Sequence, residues 1–280
     1  EFRRYILRFA HMVAGFNRLE GIMRTVYNQY DSLVRPLHKW LIERGVIFEH
    51  GACVTDMHLR EQSNGKSVKR ILYEREGKQS DVEIRACDYV LVTLGSMTES
   101  SSTGGMDQAP QMKSKAIKGA WALWETLAKG RPEFGHPQVF SNYIDATKWV
   151  SFTTTLSNSI FLRRTVEFTG NVPGEGGLIT FPESNWLMSI VVPFQPHFID
   201  QPKEVTVFWG YGLHVDVPGN FVNMPMSACT GREIMTELLG HLHFDSDSEA
   251  ILKSAICIPC MMPFITSQFM PREEGDRPHV

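Results

Sequence analysis

The stretch "KRILYEREGKQSDVEIRACDYVLVTLGS", residues 69–96, decides how the fold is read. Its first part predicts two alternating strands around an "EGKQS" turn, and "DYVLVTLGS" (88–96) predicts a short apolar strand that ends in glycine. Upstream, "VIFEHGACVTDMHLRE" (46–61) reads as extended. Before it, Leu33, Val34, Leu37, Trp40 and Leu41 recur with a helical period that stops at Gly45, a left-handed cap, while Pro36 suits the first turn. The order helix, glycine, strand, hairpin, strand suits the latter part of a doubly wound nucleotide-binding domain, whose ligand lies beyond the carboxyl ends of its strands.

Further out, "TESSSTGGMDQAPQMKS" (98–114) is loop by composition, and "AIKGAWALWETLAKG" (116–130) predicts a helix with Trp121, Trp124 and Leu127 near one side, ended by Gly130. From 147 to 215 β-branched and aromatic residues dominate: "TKWVSFTTTL", "GLITFPESNWLMSIVV" and "EVTVFWGYGLHV" are strands separated by proline and glycine turns, which predicts an antiparallel platform. A helix capped by Thr230, with Glu233 three residues on, follows. At the other end Phe2, Ile6, Phe9, Val13 and Phe16 fall on one helical face, and Tyr5 lies roughly 60° off the centre of that stripe, a border position that suits packing as well as function. No internal repeat or low-complexity linker marks a clean cut between domains. The expected class is mixed α/β.

The chain has 280 residues, 42% of them hydrophobic, enough for a substantial core. With 28 basic against 31 acidic residues, no overall basic field argues for nucleic acid. Five scattered cysteines and no signal peptide favour a reducing compartment, with the cytoplasm as the default. The most apolar runs, such as "LMSIVVPF" (187–194), fall short of the roughly 20 residues that span a bilayer, which leaves peripheral lipid contact open. The chain starts at Glu1 without Met and stops at "GDRPHV", so the expectation is missing sequence on both sides.

Among candidate chemistry, "CIPC" (257–260) has redox or half-zinc spacing but no second pair, and buried, inert thiols are the better reading. "GEGGLIT" (174–180) precedes a strand, lacks helix N-terminal amides for a phosphate, and reads as a turn. The histidines are scattered, "HLH" (241–243) splits across a helix, and no metal site is expected. His197 in "QPHF" is either an ordinary loop histidine or a partner for a carboxylate. "YNQYDS" (27–32) and "MPFITSQFMPR" (262–272) mix aromatic and polar groups as pocket walls do, and turn chemistry explains them equally well.

Taken together, "FRRYILRFAH", "YNQYDSLVRPL", "VTLGSMTESS", "FGHPQVF", "SNWLMS", "QPHF" and "MPFITSQFMPR" followed by "GDRP" resemble, in collinear order through essentially the whole chain, the oleate hydratases or myosin-cross-reactive antigens. The resemblance implies a flavoprotein-type doubly wound FAD-binding domain joined to an antiparallel-sheet substrate domain. It divides the chain into a helical segment 1–45, a partial FAD-binding region 46–110 and a mixed substrate-binding region 111–280. The implied activity is that of a hydro-lyase, adding water across the cis double bond of oleate to give 10-hydroxystearate, with FAD present and no net redox change.

By the same resemblance Tyr5 protonates the alkene, which is acid catalysis by a group with an ordinary pKa near 10, so positioning and nearby positive charge must assist. Gln29 and His197 bind the carboxylate, and Val191 and Pro193 fall where some members carry threonine and asparagine, a departure that removes donors. Thr266 and Ser267 lie near the cavity, and Val54, Thr93, Gly95 and Ser96 contact FAD. The family's GxGxxG unit and its water-activating glutamate are absent from these residues, so the segment alone is expected to be inactive. The full-length protein is expected to be a homodimer in contact with membrane surfaces. The alternatives are an FAD-dependent oxidoreductase of similar architecture and a non-catalytic fatty-acid-binding fragment.

Overall fold

The computed structural model describes residues 2–10, 13–18, 24–62, 65–270 and 272–278, without the side chains of residues 2, 5, 8 and 16–18. The chain opens with helices α1 (Phe2–Ala10) and α2 (Arg35–Ile42), followed by strands β1 (Ala52–Gln62), β2 (Gly65–Arg75), β3 (Lys78–Glu83) and β4 (Ser102–Thr103). Helices α3 (Ala120–Ala128), α4 (Gln138–Ser141) and α5 (Ile144–Thr147) lead to β5 (Trp149–Leu156) and α6 (Ile160–Thr169). Strands β6 (Ile179–Thr180), β7 (Ser189–Val191) and β8 (Thr206–Gly212), helices α7 (Gly231–Leu242) and α8 (Ser248–Ser254), and β9 (Ala255–Met262) complete it. These elements form two compact units, one from Glu1–Val46, Ser102–Gln111 and Trp149–Met261, the other from Ile47–Ser101, Met112–Lys148 and Met262–Val280. The class is mixed α/β, as expected.

The first unit is built on a sheet of order β4-β9-β5-β8-β7-β6, with antiparallel ladders β4–β9, β5–β8, β7–β8 and β6–β7. The expected antiparallel platform is therefore present. On β5 every second residue, Val150, Phe152, Thr154 and Leu156, is buried, because successive side chains point to opposite faces. Helix α7 covers that face with Ile234, Met235, Leu238, Leu239 and Leu242, which recur at helical spacing and join Phe152, Trp186 and Phe208 in one core. Its start is a complete capping box: Thr230 accepts from the Glu233 amide and the Glu233 carboxylate accepts from the Thr230 amide. Strand β9 escapes sequence reading because Ile256 and Ile258, on its other face, are exposed and apolar, so no alternation shows.

The second unit holds the antiparallel meander β1-β2-β3. Between β2 and β3 the residues Glu76 (φ 51°) and Gly77 (φ 76°) both lie in the left-handed region, the two-residue turn whose twist matches flanking strands. Helix α3 buries Trp121 and Trp124, which stack on each other at 5.9 Å and meet Phe264 and Phe140.

The segment 88–96 departs from expectation, since it joins no strand. Val90 and Leu94 pack against Met57, Leu123 and Leu127, but Tyr89 and Leu91 are 96% and 98% exposed. A continuous apolar strand needs neighbours on both edges, and among the described residues none pairs with this segment.

Candidate functional site

In the first unit a cavity of about 580 Å³ opens beside strands β7 and β8. The segment 24–29 forms one wall, the turn at 174–178 another, and Val191, Pro193, Phe194, His197 and Trp209 the rest. Trp209 reaches it because side chains alternate along β8, which puts Trp209 on the face opposite Phe208 and the core. Gly174 (φ +84°) is required where it stands, since an added Cβ would sit 2.5 Å from the Phe194 ring.

Two polar networks hold the walls. The Gln195 side chain donates to the Val207 carbonyl at 2.8 Å and accepts from the Val207 amide at 3.1 Å, and Gln201 accepts from the His197 amide at 2.8 Å. Across the chain, the Asn28 amide and side chain both donate to the His197 carbonyl, at 2.9 and 3.0 Å. Asn28 also donates to Asp31 at 2.8 Å, and Asp31 accepts from the Ile199 amide at 3.4 Å. That hydrogen bond from Asn28, with Arg35 assisting, holds the Asp31 carboxyl below the usual carboxylate range against the opposing effect of burial. Burial pushes the His197 imidazole below its usual range, and the nearby Asp31 charge only partly offsets it. A neutral imidazole then offers one donor and one acceptor. Gln29, Val191, Pro193 and His197, up to 168 positions apart in sequence, thus meet at one cavity.

The second unit has its own cavity of about 400 Å³, lined by Val54, Met57, Ile71, Val90, Leu91, Thr93 and Leu123. Val54 and Thr93 share it. Gly95 and Ser96 face Trp121 instead: a Cβ on Gly95 would meet that ring at 2.7 Å, and the Trp121 indole donates to the Ser96 carbonyl at 2.9 Å. Thr266 donates to the Thr147 carbonyl at 3.1 Å, and Ser267 is fully buried with no partner for its hydroxyl among the described residues. Neither lines the two cavities described above. Tyr5 belongs to α1, and its side chain lies outside the described residues.

The other candidates follow their plain readings. Cys257 is buried on β9 and burial pushes its thiol up to about 12, while Cys260 is raised for the same reason, so neither is an activated thiolate. "GEGG" is a turn that supplies cavity wall. Asn28 and Asp31 do perform turn chemistry, and the same hydrogen bonds fasten the His197 loop, so the two readings of "YNQYDS" are compatible. Sequence reasoning missed Arg24 and Trp209, which carry no periodic or spacing signal that separates them from surface residues.

The fold and site define a mixed α/β protein with a preformed, largely apolar cavity of small-ligand size. The chain belongs to the MCRA family, whose profile matches residues 1–280. It is 38% identical over 290 aligned positions to the oleate hydratase of Streptococcus pyogenes serotype M49 (strain NZ131), with all of this chain and 49% of that protein covered. It is 32% identical over 302 positions to the linoleate hydratase of Lactiplantibacillus plantarum, with all of this chain and 53% of that protein covered. The chain spans about half the length of the curated relatives it matches. No helix among the described residues is long and apolar enough to cross a membrane.

Proposed function

We propose that the protein containing this chain is a fatty-acid hydratase, a hydro-lyase that adds water to the cis double bond of an oleate-like acid. The observation that carries the reading is the convergence of Gln29, Val191, Pro193 and His197 on one cavity whose remaining wall is largely apolar. Family membership and the activities for which two relatives are named support it. In this reading Gln29 and His197 hold the carboxylate and the apolar wall shields the chain from water. The Tyr5 hydroxyl gives its proton to one alkene carbon as the π bond opens. Water oxygen bonds to the other carbon and loses its proton to a base, and Tyr5 is reprotonated from solvent, so the sum is alkene plus water giving alcohol.

FAD is the cofactor in this reading. The cavity of about 400 Å³ in the second unit, lined by Val54, Met57, Ile71, Leu123 and Thr93, is roomy and apolar enough to take a flat heteroaromatic ring such as adenine. Val54 and Thr93 would hold that end, while Gly95 and Ser96, whose amide and carbonyl are engaged by Ala120 and Trp121, would fix the chain beside it. The bound flavin would undergo no net redox change.

Turnover of oleate by the full-length protein in deuterated water tests the reading. Deuterium on the carbon next to the new hydroxyl is expected. A flavin spectrum that bleaches in proportion to product, with no hydroxy acid, would sink it in favour of an oxidoreductase; binding without turnover would favour a non-catalytic fatty-acid-binding protein.

A further inference from the structure

We propose that Arg24 supplies the positive charge that neutralises the head group in the cavity of the first unit, and thereby sets a preference for a carboxylate over a neutral polar head. This deepens the fatty-acid reading and rests on it. Arg24 is half-buried in the cavity wall, and its Nη1 donates to the Gly174 carbonyl at 2.8 Å. A guanidinium has five N–H donors, so this one bond anchors the group and leaves the others for a ligand. No Lys, Asp or Glu and no second Arg lines the cavity among the described residues, and the Asp31 carboxylate behind the wall is already engaged by Asn28, the Ile199 amide and Arg35, so Arg24 is the one full positive charge that a carboxylate meets in the lining.

The remaining polar walls do not replace that charge. Gln29 is neutral, Val191 and Pro193 bring no side-chain donor, and His197 is shifted by burial toward its neutral form. A carboxylate taken from water against apolar groups requires a compensating charge or a set of hydrogen bonds. A guanidinium provides both through charge-assisted, paired contacts.

Equilibrium binding of oleate and of oleyl alcohol, both kept below aggregation, to the full chain and to Arg24→Gln and Arg24→Lys tests this, with circular dichroism as the check on folding. The wild type should favour oleate by at least about tenfold, Arg24→Gln should lose that preference while still binding the alcohol, and Arg24→Lys should keep most of it. On the wild type alone, the carboxyl resonance of bound ¹³C-labelled oleate should titrate below the range of about 4–5 typical of free carboxyl groups. An oleate preference that survives in Arg24→Gln, an equal loss for both amphiphiles, or a bound carboxyl that titrates at or above the free value would overturn the assignment and leave the fatty-acid reading standing. If the wild type binds neither amphiphile, the reading and the assignment fall together.

Discussion

Tyr5 carries the one proton that the proposed reaction places on carbon. Replacing it with phenylalanine in the full-length protein removes the proton and little else, so turnover should fall by about 100- to 10,000-fold while oleate affinity stays the same. Product formation and equilibrium binding, measured on one preparation, separate the two effects. At this scale helix periodicity left Tyr5 on the border of an apolar stripe, and only the family resemblance distinguished it from a packing residue. Val191 and Pro193 came from the same resemblance, His197 and the segment holding Gln29 were already candidates by residue type, and the meeting of all four at one cavity depends on contacts between residues 28 and 197 that no local pattern encodes. Arg24 was silent for the same reason. What marks it is that no other Lys, Arg, Asp or Glu lines the cavity among the described residues, a property of residues distant in sequence.

Two side-chain clusters act at the scale of elements, each fastening a loop to a helix. Asp31, at the start of the helical stretch that leads into α2, accepts from Asn28 and from the Ile199 amide. Because its carboxyl is held below the usual range in the folded chain, the stability it adds is present above the unfolded value near 4 and is lost as pH falls below it. Hydrogen exchange at amides 197–199, corrected for intrinsic rates, should therefore show easier opening below about pH 4, and Asp31→Asn should flatten that dependence.

The second cluster centres on Glu237, fully buried on α7, which accepts backbone N–H groups from Asn220, Phe221 and Val222 at 2.6, 2.9 and 2.8 Å and faces His241 Nε2 at 3.2 Å. Truncation removes the acceptor shared by three part-buried backbone N–H groups, so Glu237→Ala should destabilise the chain by about 1–3 kcal/mol in denaturant titration. The capping box at Thr230 was legible because its two partners are three residues apart. The Glu237 clamp was not, because its donors lie 15–17 residues away in a loop with no recognisable pattern.

In the whole molecule each of the two units has its own apolar packing, one large core around Phe152, Trp186 and Leu238 in the first and two smaller clusters in the second, around Trp121 and Trp124 and around Met57 and Leu127. Trp124→Ala opens a hole in the second unit worth about 3–5 kcal/mol. Exchange protection should then drop in β2 and β3 and persist in β5 and β8; uniform loss across all four strands would mean that the units unfold as one. From the sequence alone came the features set by neighbours within about four residues: the helical periods of α2 and α3, the capping box, the glycine stops and the tight turn after β2. Tertiary structure alone decided that chain segments 24–29, 174–178 and 191–209 share a cavity, that β9 is a strand although both its faces are apolar, and that 88–96 joins no ladder. The physical reason is reach. Backbone preferences and side-chain period act along the chain, whereas a strand's pairing, a buried charge's partner and a cavity's walls depend on which distant residues are brought beside them.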